Sequence, residues 1–224
     1  MTHKQILVLC GSLRAGSFNR MLCNTLPEVA PDGMTFVDAP PIAGFPLYDA
    51  DLQATGMPAP VTALGDAIRA ADGVLIVTPE YNYSVPGVLK NAIDWVSRLP
   101  DQPFAGKPVA LQSAAIGMLG GARCQYHLRQ IMVFLDAQVF NKPEVFVSFA
   151  KTKVDEGKGV VSDGPTRDAM AAQLKAFLPF VGRMTGACPP AGGRAASRRP
   201  PPSPSRALHS RAVAPISRDR RMRS

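Results

Sequence analysis

The sequence predicts an α/β fold, a doubly wound five-stranded parallel sheet with helices on both faces. Strand-like and helix-like patterns alternate through the first 184 residues. Two of the strand-like runs, residues 6–9 and 74–77, are continuously apolar, as expected of strands that are covered on both faces. Five β-α units in succession imply parallel strands with helices on both sides of the sheet.

The predicted elements follow one another in a regular order. The strands are apolar runs at residues 5–10, 34–38, 73–78, 108–113 and 144–148. The helices lie between and after them, at residues 19–26, 61–71, 86–98, 121–137 and 165–184. Ligands of such sheets bind beyond the carboxyl ends of the strands, where the strand order reverses. The loops after the first, third and fourth strands are therefore the predicted site.

Charge divides the chain into a body and a tail. The net charge is +8, but residues 1–182 hold 15 basic and 16 acidic residues, a net of −1. Residues 183–224 hold ten arginines and a single acidic residue, Asp219. We expect one domain over residues 1–184 and a disordered Arg/Pro-rich tail over residues 185–224, because the tail has too few apolar residues to offset the entropy cost of ordering it.

The tail has two interpretations. It is either an electrostatic arm for nucleic acid or an anionic membrane, or an extension that is not native, since GC-rich DNA read in a wrong frame encodes such mixtures. We favour the second, because the tail has neither aromatic residues for stacking nor an amphipathic stripe.

The body has the features of a cytoplasmic protein. No apolar run reaches the ~18 residues of a membrane span, and the N-terminus lacks the pattern of a signal peptide. The cysteines show neither metal-ligand spacing nor clustering with histidine: Cys10, Cys23, Cys124 and Cys188. We therefore expect reduced thiols, no bound metal and a cytoplasmic location.

The loop after the first strand has the features of a phosphate site. Gly11 allows a sharp turn, and Arg14 adds a positive charge. Short hydrogen-bonding side chains stand just ahead of the free N–H groups of a helix: Ser12, Ser17 and Asn19. Ser17 and Phe18 replace the Lys and Ser/Thr of a nucleotide-hydrolase P-loop, so phosphoryl transfer is not expected. Helix capping by Ser17 or Asn19 explains one such residue but not the set. A monophosphate anchor is predicted.

The loop after the third strand offers a surface for a flat ring. Its residues combine aromatic rings with an amide and a carboxylate: Pro79, Glu80, Tyr81, Asn82 and Tyr83. Pro86 is expected at the first position of the next helix. A mononucleotide bound by the first loop would extend its ring toward this loop, where an isoalloxazine ring fits.

Two motifs, "GSLRAGSFN" and "TPEYNYSVPGVLKNAIDWVSR", closely resemble those of the NAD(P)H-dependent FMN reductase family of flavodoxin-like proteins. The runs "LPDQPFAGKPVALQ" and "GGARCQYHLRQIMVFLDAQVFNKPE" resemble its soluble bacterial quinone and chromate reductase branch. The resemblance covers about residues 4–184 and implies a flavodoxin-like fold.

The resemblance also implies which residues bind FMN. The first loop contributes Ser12, Leu13, Arg14, Ala15, Gly16, Ser17, Phe18 and Asn19. The third loop lines the ring, largely through main-chain atoms of Pro79, Glu80, Tyr81, Asn82 and Tyr83. The fourth contributes Ser113, Ala115 and Gly117. Ala114 and Ala115 stand where relatives often have hydroxyls, so we expect altered flavin affinity or potential rather than loss of binding.

The implied activity is that of an FMN-dependent NAD(P)H:quinone oxidoreductase. Hydride passes from NADPH or NADH through flavin N5 to quinones, with chromate and similar metal oxyanions as side substrates, and no catalytic acid or base is expected. The family forms dimers and this branch tetramers, so a homodimer or homotetramer is expected. One alternative is a flavodoxin-like electron carrier without a nicotinamide site, which the neutral body disfavours. Another is a nucleic-acid-binding protein that acts through its tail.

Weaker candidates lie near the third and fourth helices. Tyr83 and Arg123 are the expected substrate-binding residues, although Arg123 could equally be solvated. His127 is expected to be a packed helix residue rather than a ligand. Both helices carry apolar residues around more of their circumference than one core needs, which predicts a subunit interface with Arg123 and Glu144 as its charges. Three residues are expected to serve packing or that interface: Trp95, Met118 and Met132.

Overall fold

The computed structural model describes residues 3–186, so all but the first two residues of the predicted tail lie outside the described residues, and the disorder of residues 187–224 remains a prediction. The main sheet comprises β1 (Lys4–Cys10), β2 (Met34–Asp38), β3 (Gly73–Thr78), β4 (Pro108–Ala114), β5 (Gln138–Val139) and β6 (Val145–Val147). All of its strand pairs are parallel, in the order β2-β1-β3-β4, and both β5 and β6 pair with β4. The predicted parallel sheet is confirmed.

The fifth position of the sheet differs from the prediction of one strand at residues 144–148. Two short strands share it: β5 pairs with the beginning of β4, and β6 pairs with its end. Pro143 lies between them and has no N–H group to donate to a strand ladder. The pairing is therefore interrupted, and the chain between the two short strands carries a further loop.

The five predicted helices are confirmed with shifts of a few residues at their ends. They are α1 (Phe18–Val29), α3 (Ala59–Ala70), α4 (Gly87–Val96), α5 (Ala122–Phe134) and α6 (Gly164–Gly186). Pro86 lies at the N-cap of α4 rather than at its first position. The sequence patterns missed α2 (Ala50–Thr55), which has no buried residue and hence no apolar period. They also missed the 3₁₀ turn Ala150–Thr152 and the hairpin of β7 (Val154–Asp155) and β8 (Val160–Val161).

The two faces of the sheet bury separate cores. In β3, Val74 and Ile76 point into one core together with residues of α3, α4 and α5. Leu75 and Val77 point into the other, with residues of α1 and α6. Alternate side chains of one strand thus enter opposite cores, which explains why this strand is apolar at every position. Within residues 3–186, no helix is long and apolar enough to cross a membrane.

Most apolar residues of α4 and α5, the predicted interface helices, pack into this chain's own core. Trp95 and Met132 are fully buried, so they serve packing. Met118 is 71% exposed and therefore does not pack, whereas Val133 and Phe134 at the end of α5 are 77% and 85% exposed. The excess apolar surface is thus confined to α5, and the prediction for α4 is wrong because its apolar residues face the core.

Candidate active site

The loops after β1, β3 and β4 lie side by side because these three strands are neighbours in the sheet. They enclose a cavity of about 560 Å³ together with the segment that follows β6. The predicted residues that line it are Ser12, Arg14, Ser17, Phe18, Asn19, Pro79, Glu80, Tyr81 and Ala115. Four further residues line it as well: Ala114, Ile116, Lys151 and Glu156. The prediction that the first, third and fourth loops converge is correct.

Gly11 is required where β1 turns into the first loop. A Cβ atom at this position would lie 2.6 Å from Thr78 Oγ1 and 2.9 Å from Leu89 Cδ2, closer than real Cβ contacts allow. The absence of a side chain therefore lets β1, β3 and α4 meet at the edge of the cavity.

Ser17 caps α1, as one of the two interpretations of the loop expected. Its Oγ accepts a hydrogen bond of 3.4 Å from the Arg20 N–H, and the residue is 2% exposed. The capping oxygen acts as an acceptor, so its hydroxyl proton is still available as a donor to an anion in the cavity. The Arg14 guanidinium carbon lies 5.1 Å from the ring centre of Phe18, which places an arginine and an aromatic ring on the same wall.

Asn19 connects the first loop to the fourth. Its Nδ2 donates to the Ala114 carbonyl at 3.0 Å, and its Oδ1 accepts from the Ala114 N–H at 2.9 Å. The side chain is therefore committed to the backbone of β4, although the sequence suggested a free phosphate ligand. A role for the remaining amide proton in binding phosphate stays a prediction.

The third loop forms a tight two-residue turn. Tyr81 and Ser84 exchange backbone hydrogen bonds of 3.0 Å, and the residues between them, Asn82 and Tyr83, have φ values of 46° and 72°. Turns with two left-handed central residues favour Asn-Gly, so a tyrosine in the second place is strained by roughly 1–3 kcal/mol. Tyr81 and Tyr83 are 50% and 62% exposed, so neither ring fills the core.

Arg123 and Glu80 hold this turn against α5. The Arg123 guanidinium carbon lies 4.0 Å from the ring centre of Tyr83, and its Nε lies 3.0 Å from Glu80 Oε1. Glu80 Oε2 accepts a 3.2 Å hydrogen bond from the Cys124 N–H in the first turn of α5. Arg123 is thus an engaged residue rather than a solvated one, and these contacts help to offset the strain at Tyr83.

His127 and Glu144 also have partners within the chain. His127 Nδ1 lies 2.8 Å from the Ser84 hydroxyl, on the side of the turn that faces α5. This contact agrees with a packed residue of the helix rather than a ligand. Glu144 pairs with Arg129 at 3.3 Å. Its predicted role at a subunit interface stays a prediction.

Several predicted residues lie elsewhere. Ser113 is fully buried: its hydroxyl donates to the Gly120 carbonyl at 2.7 Å and accepts from Gln125 at 2.8 Å. It does not line the cavity, because its side chain points toward α5. Gly117 lines an adjoining space of about 420 Å³ that also contacts Glu80 and Arg123.

Part of the first loop faces away from the proposed site. Leu13 and Ala15 line a different cavity, of about 700 Å³, between that loop and residues 38–43. Gly16 is exposed, and Asn82 and Tyr83 lie at the exposed rim of the third loop. The first loop therefore presents only some of its residues to the site.

Lys151 and Glu156 are the functional candidates that the sequence did not indicate. Lys151 lies in the 3₁₀ turn after β6, and Glu156 lies in the β7–β8 hairpin. Neither residue belongs to a motif. Both lie in the chain segment that follows β6, so their position near the first loop depends on the path of the chain after the interrupted fifth strand. Lys151 adds a second positive charge, besides that of Arg14, to the lining of the cavity.

The described residues place neither a reactive thiol nor a metal site at this cavity. Burial raises the pKa of the Cys124 thiol to about 12, so this neighbour of Glu80 stays protonated at neutral pH. No group of three or more His, Cys, Asp or Glu side chains in residues 3–186 is arranged to hold a metal ion. The cavity instead resembles a binding site for a phosphorylated aromatic molecule.

The strand order β2-β1-β3-β4-β5, with a phosphate-type loop after β1 and an aromatic turn after β3, places the chain among the flavodoxin-like flavoproteins. The family model of NADPH-dependent FMN reductases matches residues 5–152. The chain belongs to that family.

Individual relatives agree with this assignment. A quinone reductase of Escherichia coli is 60% identical over 181 residues, which cover 80% of this chain and 96% of the relative. An NAD(P)H-dependent FMN reductase of Pseudomonas aeruginosa is 47% identical over 182 residues, 81% of this chain and 97% of that one. The solved structure of FerB, a flavoenzyme NAD(P)H:(acceptor) oxidoreductase of Paracoccus denitrificans, matches with a TM-score of 0.72 and 33% identity, over 81% of this chain and 98% of FerB.

Proposed function

We propose that this protein is an FMN-dependent NAD(P)H:quinone oxidoreductase. The observation that carries the proposal is the cavity at the meeting point of β1, β3 and β4, which combines hydroxyls, two cationic side chains and an aromatic turn. These groups fit FMN: Ser17, Arg14 and Lys151 suit its phosphate, and Tyr81 suits the edge of its ring system. The quinone reductase and FMN reductase relatives support the same activity.

The protein's own part in the reaction is binding and orientation. Bound FMN supplies the two-electron redox chemistry, taking electrons from NAD(P)H and passing them to the acceptor. The N-terminal end of α1 and the hydroxyls ahead of it would hold the phosphate. The turn at Tyr81–Ser84 and the backbone at Ala115 and Ile116 would hold the ring. No side chain of the cavity is needed to donate or remove a proton.

The direct test is the visible absorption spectrum of the purified full-length chain under nitrogen. We expect flavin bands that bleach on addition of NADPH or NADH and return on addition of benzoquinone. Bands that bleach only with dithionite would identify an electron carrier without a nicotinamide site. A protein that takes up no added FMN would contradict the proposal.

Ser17→Ala tests the phosphate site. We expect FMN affinity to fall by about tenfold or more, because a hydrogen bond to a charged group contributes ~1.5–3 kcal/mol. Riboflavin, which has no phosphate, provides the control in calorimetric titrations of both proteins. The lost helix cap affects both flavins equally, whereas the lost phosphate contact affects FMN alone. Equal losses for the two flavins would show that Ser17 acts only as a cap.

We further propose that Tyr83 and Arg123 border the place where NAD(P)H and then the quinone bind. Tyr83 is exposed at the rim, and Arg123 lines the adjoining space while stacking on Tyr83. Arg123→Ala is expected to raise the KM for quinone several-fold, since the loss of Arg123 frees the turn that borders the acceptor. Bound flavin is expected to be retained, because its phosphate contacts lie in the first loop and are unchanged. Arg98→Ala is the matched control, because Arg98 stacks on Tyr48 at the far end of α4. Equal effects of both variants would contradict a local role.

Other features of the function are also proposals. Metal oxyanions such as chromate would be reduced as side substrates at the same place. The exposed Val133 and Phe134 support a homodimer or homotetramer, which light scattering of the purified protein would measure. Three free thiols in the described part of the chain agree with a cytoplasmic location.

A further inference from the structure

A pair of thiols lies beneath the first loop, outside the proposed flavin cavity. Cys10 ends β1, and Cys23 lies in α1. Both residues are 7% exposed, and each thiol lies close enough to shift the pKa of the other. They belong to the same buried cluster, yet they bracket the loop in sequence. A bond between them would close that loop at its base.

Cys10 can be reached from the cavity of about 700 Å³ between the first loop and residues 38–43. Its Sγ lies 3.8 Å from the Ser12 carbonyl oxygen. Arg20 and Asp38 line the same cavity and are paired at 2.9 Å between Nη1 and Oδ1. A small polar molecule that enters this cavity therefore meets Cys10 and the guanidinium group of Arg20. Cys23 does not line the cavity.

The two thiols have different acidities. The hydrogen bond from Cys23 lowers the pKa of the Cys10 thiol to about 6, and the charge of Arg20 acts in the same direction. The same hydrogen bond, together with burial, raises the pKa of Cys23 well above its usual value. The accessible sulfur of Cys10 is thus the more acidic of the two, and its thiolate is the nucleophilic form.

We propose that Cys10 and Cys23 are an oxidation site, at which a peroxide converts the two thiols to a disulfide beneath the first loop. The Cys10 sulfur attacks the O–O bond of hydrogen peroxide: an S–O bond forms, the O–O bond breaks, and the leaving hydroxide takes a proton to become water. The Cys23 sulfur then attacks the Cys10 sulfur and gives up its proton. The S–S bond forms, the S–O bond breaks, and a second water leaves.

The overall step is balanced by one peroxide per pair. Two thiols are oxidised, one peroxide is reduced, and two waters are formed. The proposal does not depend on the function proposed above, because no flavin takes part. Cys124 is the internal control: it is fully buried, and burial raises the pKa of its thiol to about 12.

Peptide mapping of the full-length protein as purified tests the proposal. Trypsin places the four cysteines in four different peptides, because Arg14, Arg20 and Arg123 separate Cys10, Cys23 and Cys124, and Arg194 ends the peptide of Cys188. After treatment with hydrogen peroxide, we expect the peptides of Cys10 and Cys23 to be joined in a reducible species. The intact protein should become about 2 Da lighter.

Two further measurements separate this site from general oxidation. Before oxidation, iodoacetamide should label Cys10 more than about tenfold faster than Cys124 at pH 7, with a rate that rises at a lower pH than the rate of Cys124. In Cys23→Ala, peroxide should leave a sulfenic acid on Cys10 that dimedone traps, and no disulfide. Labelling of Cys10 as slow as that of Cys124 would overturn the proposal. So would a disulfide that joins Cys10 or Cys23 to Cys188 or to another copy of the chain.

Discussion

Gly120→Ala is expected to lower the free energy of unfolding by ~2–5 kcal/mol. Gly120 has a φ of +59°, and a Cβ atom there would lie 2.8 Å from Phe146 C, 2.9 Å from Ser148 N and 2.9 Å from Val147 C. All three neighbours are backbone atoms of β6 or its end, so they cannot move aside as a side chain could. Left-handed strain costs ~1–3 kcal/mol and forced overpacking a similar amount. Urea denaturation measures the change.

Gly117→Ala is the matched control in the same loop. A Cβ atom at Gly117 meets no other atom within 4 Å, and the backbone there is not left-handed. Its effect should stay within about 0.5 kcal/mol. If Gly120→Ala unfolded at the same urea concentration as the parent protein, the close approach of the fourth loop to β6 would be wrong.

Asn19→Ala is expected to cost ~2–5 kcal/mol of stability and to weaken flavin binding. The substitution removes both hydrogen bonds to Ala114 and leaves a buried N–H and a buried carbonyl without these partners, each at ~1–3 kcal/mol. The loops after β1 and β4 then lose the link that fixes the width of the cavity. Thermal unfolding and flavin titration together measure the two effects.

Asn24→Ala provides the comparison for Asn19. Asn24 is an exposed asparagine of the same helix, with one hydrogen bond of 2.9 Å to Gly159. Its replacement is therefore expected to lower the free energy of unfolding by only about 0.5–1.5 kcal/mol. Asn19→Ala should weaken the binding of FMN and of riboflavin by the same factor, because the substitution acts through the shape of the cavity. A loss confined to FMN would instead show that the Asn19 amide binds the phosphate directly.

Much of the fold could be predicted because its signals are local. The apolar run of β3 reflects two covered faces, and the Gly11–Asn19 stretch contains a turn, hydroxyls and a helix start in consecutive residues. The misses occurred where local signals were absent. α2 buries nothing, β7 and β8 are two residues each, and the fifth strand was placed as a single run because its first pairing segment, Gln138–Val139, is too short to form a pattern.

In the candidate site, too, the features that adjacent residues supply could be predicted, and the contacts between distant residues could not. The sequence by itself determined the parallel α/β fold and the chemical types of the first and third loops, since adjacent residues supply them. Only the tertiary structure decided that Asn19 binds a backbone 95 positions away, that Glu80 and Arg123 hold the Tyr83 turn, and that Lys151 joins Arg14. These contacts depend on which strands are neighbours in the sheet and on the path that each loop takes between them. Residue spacing along the chain does not encode that information.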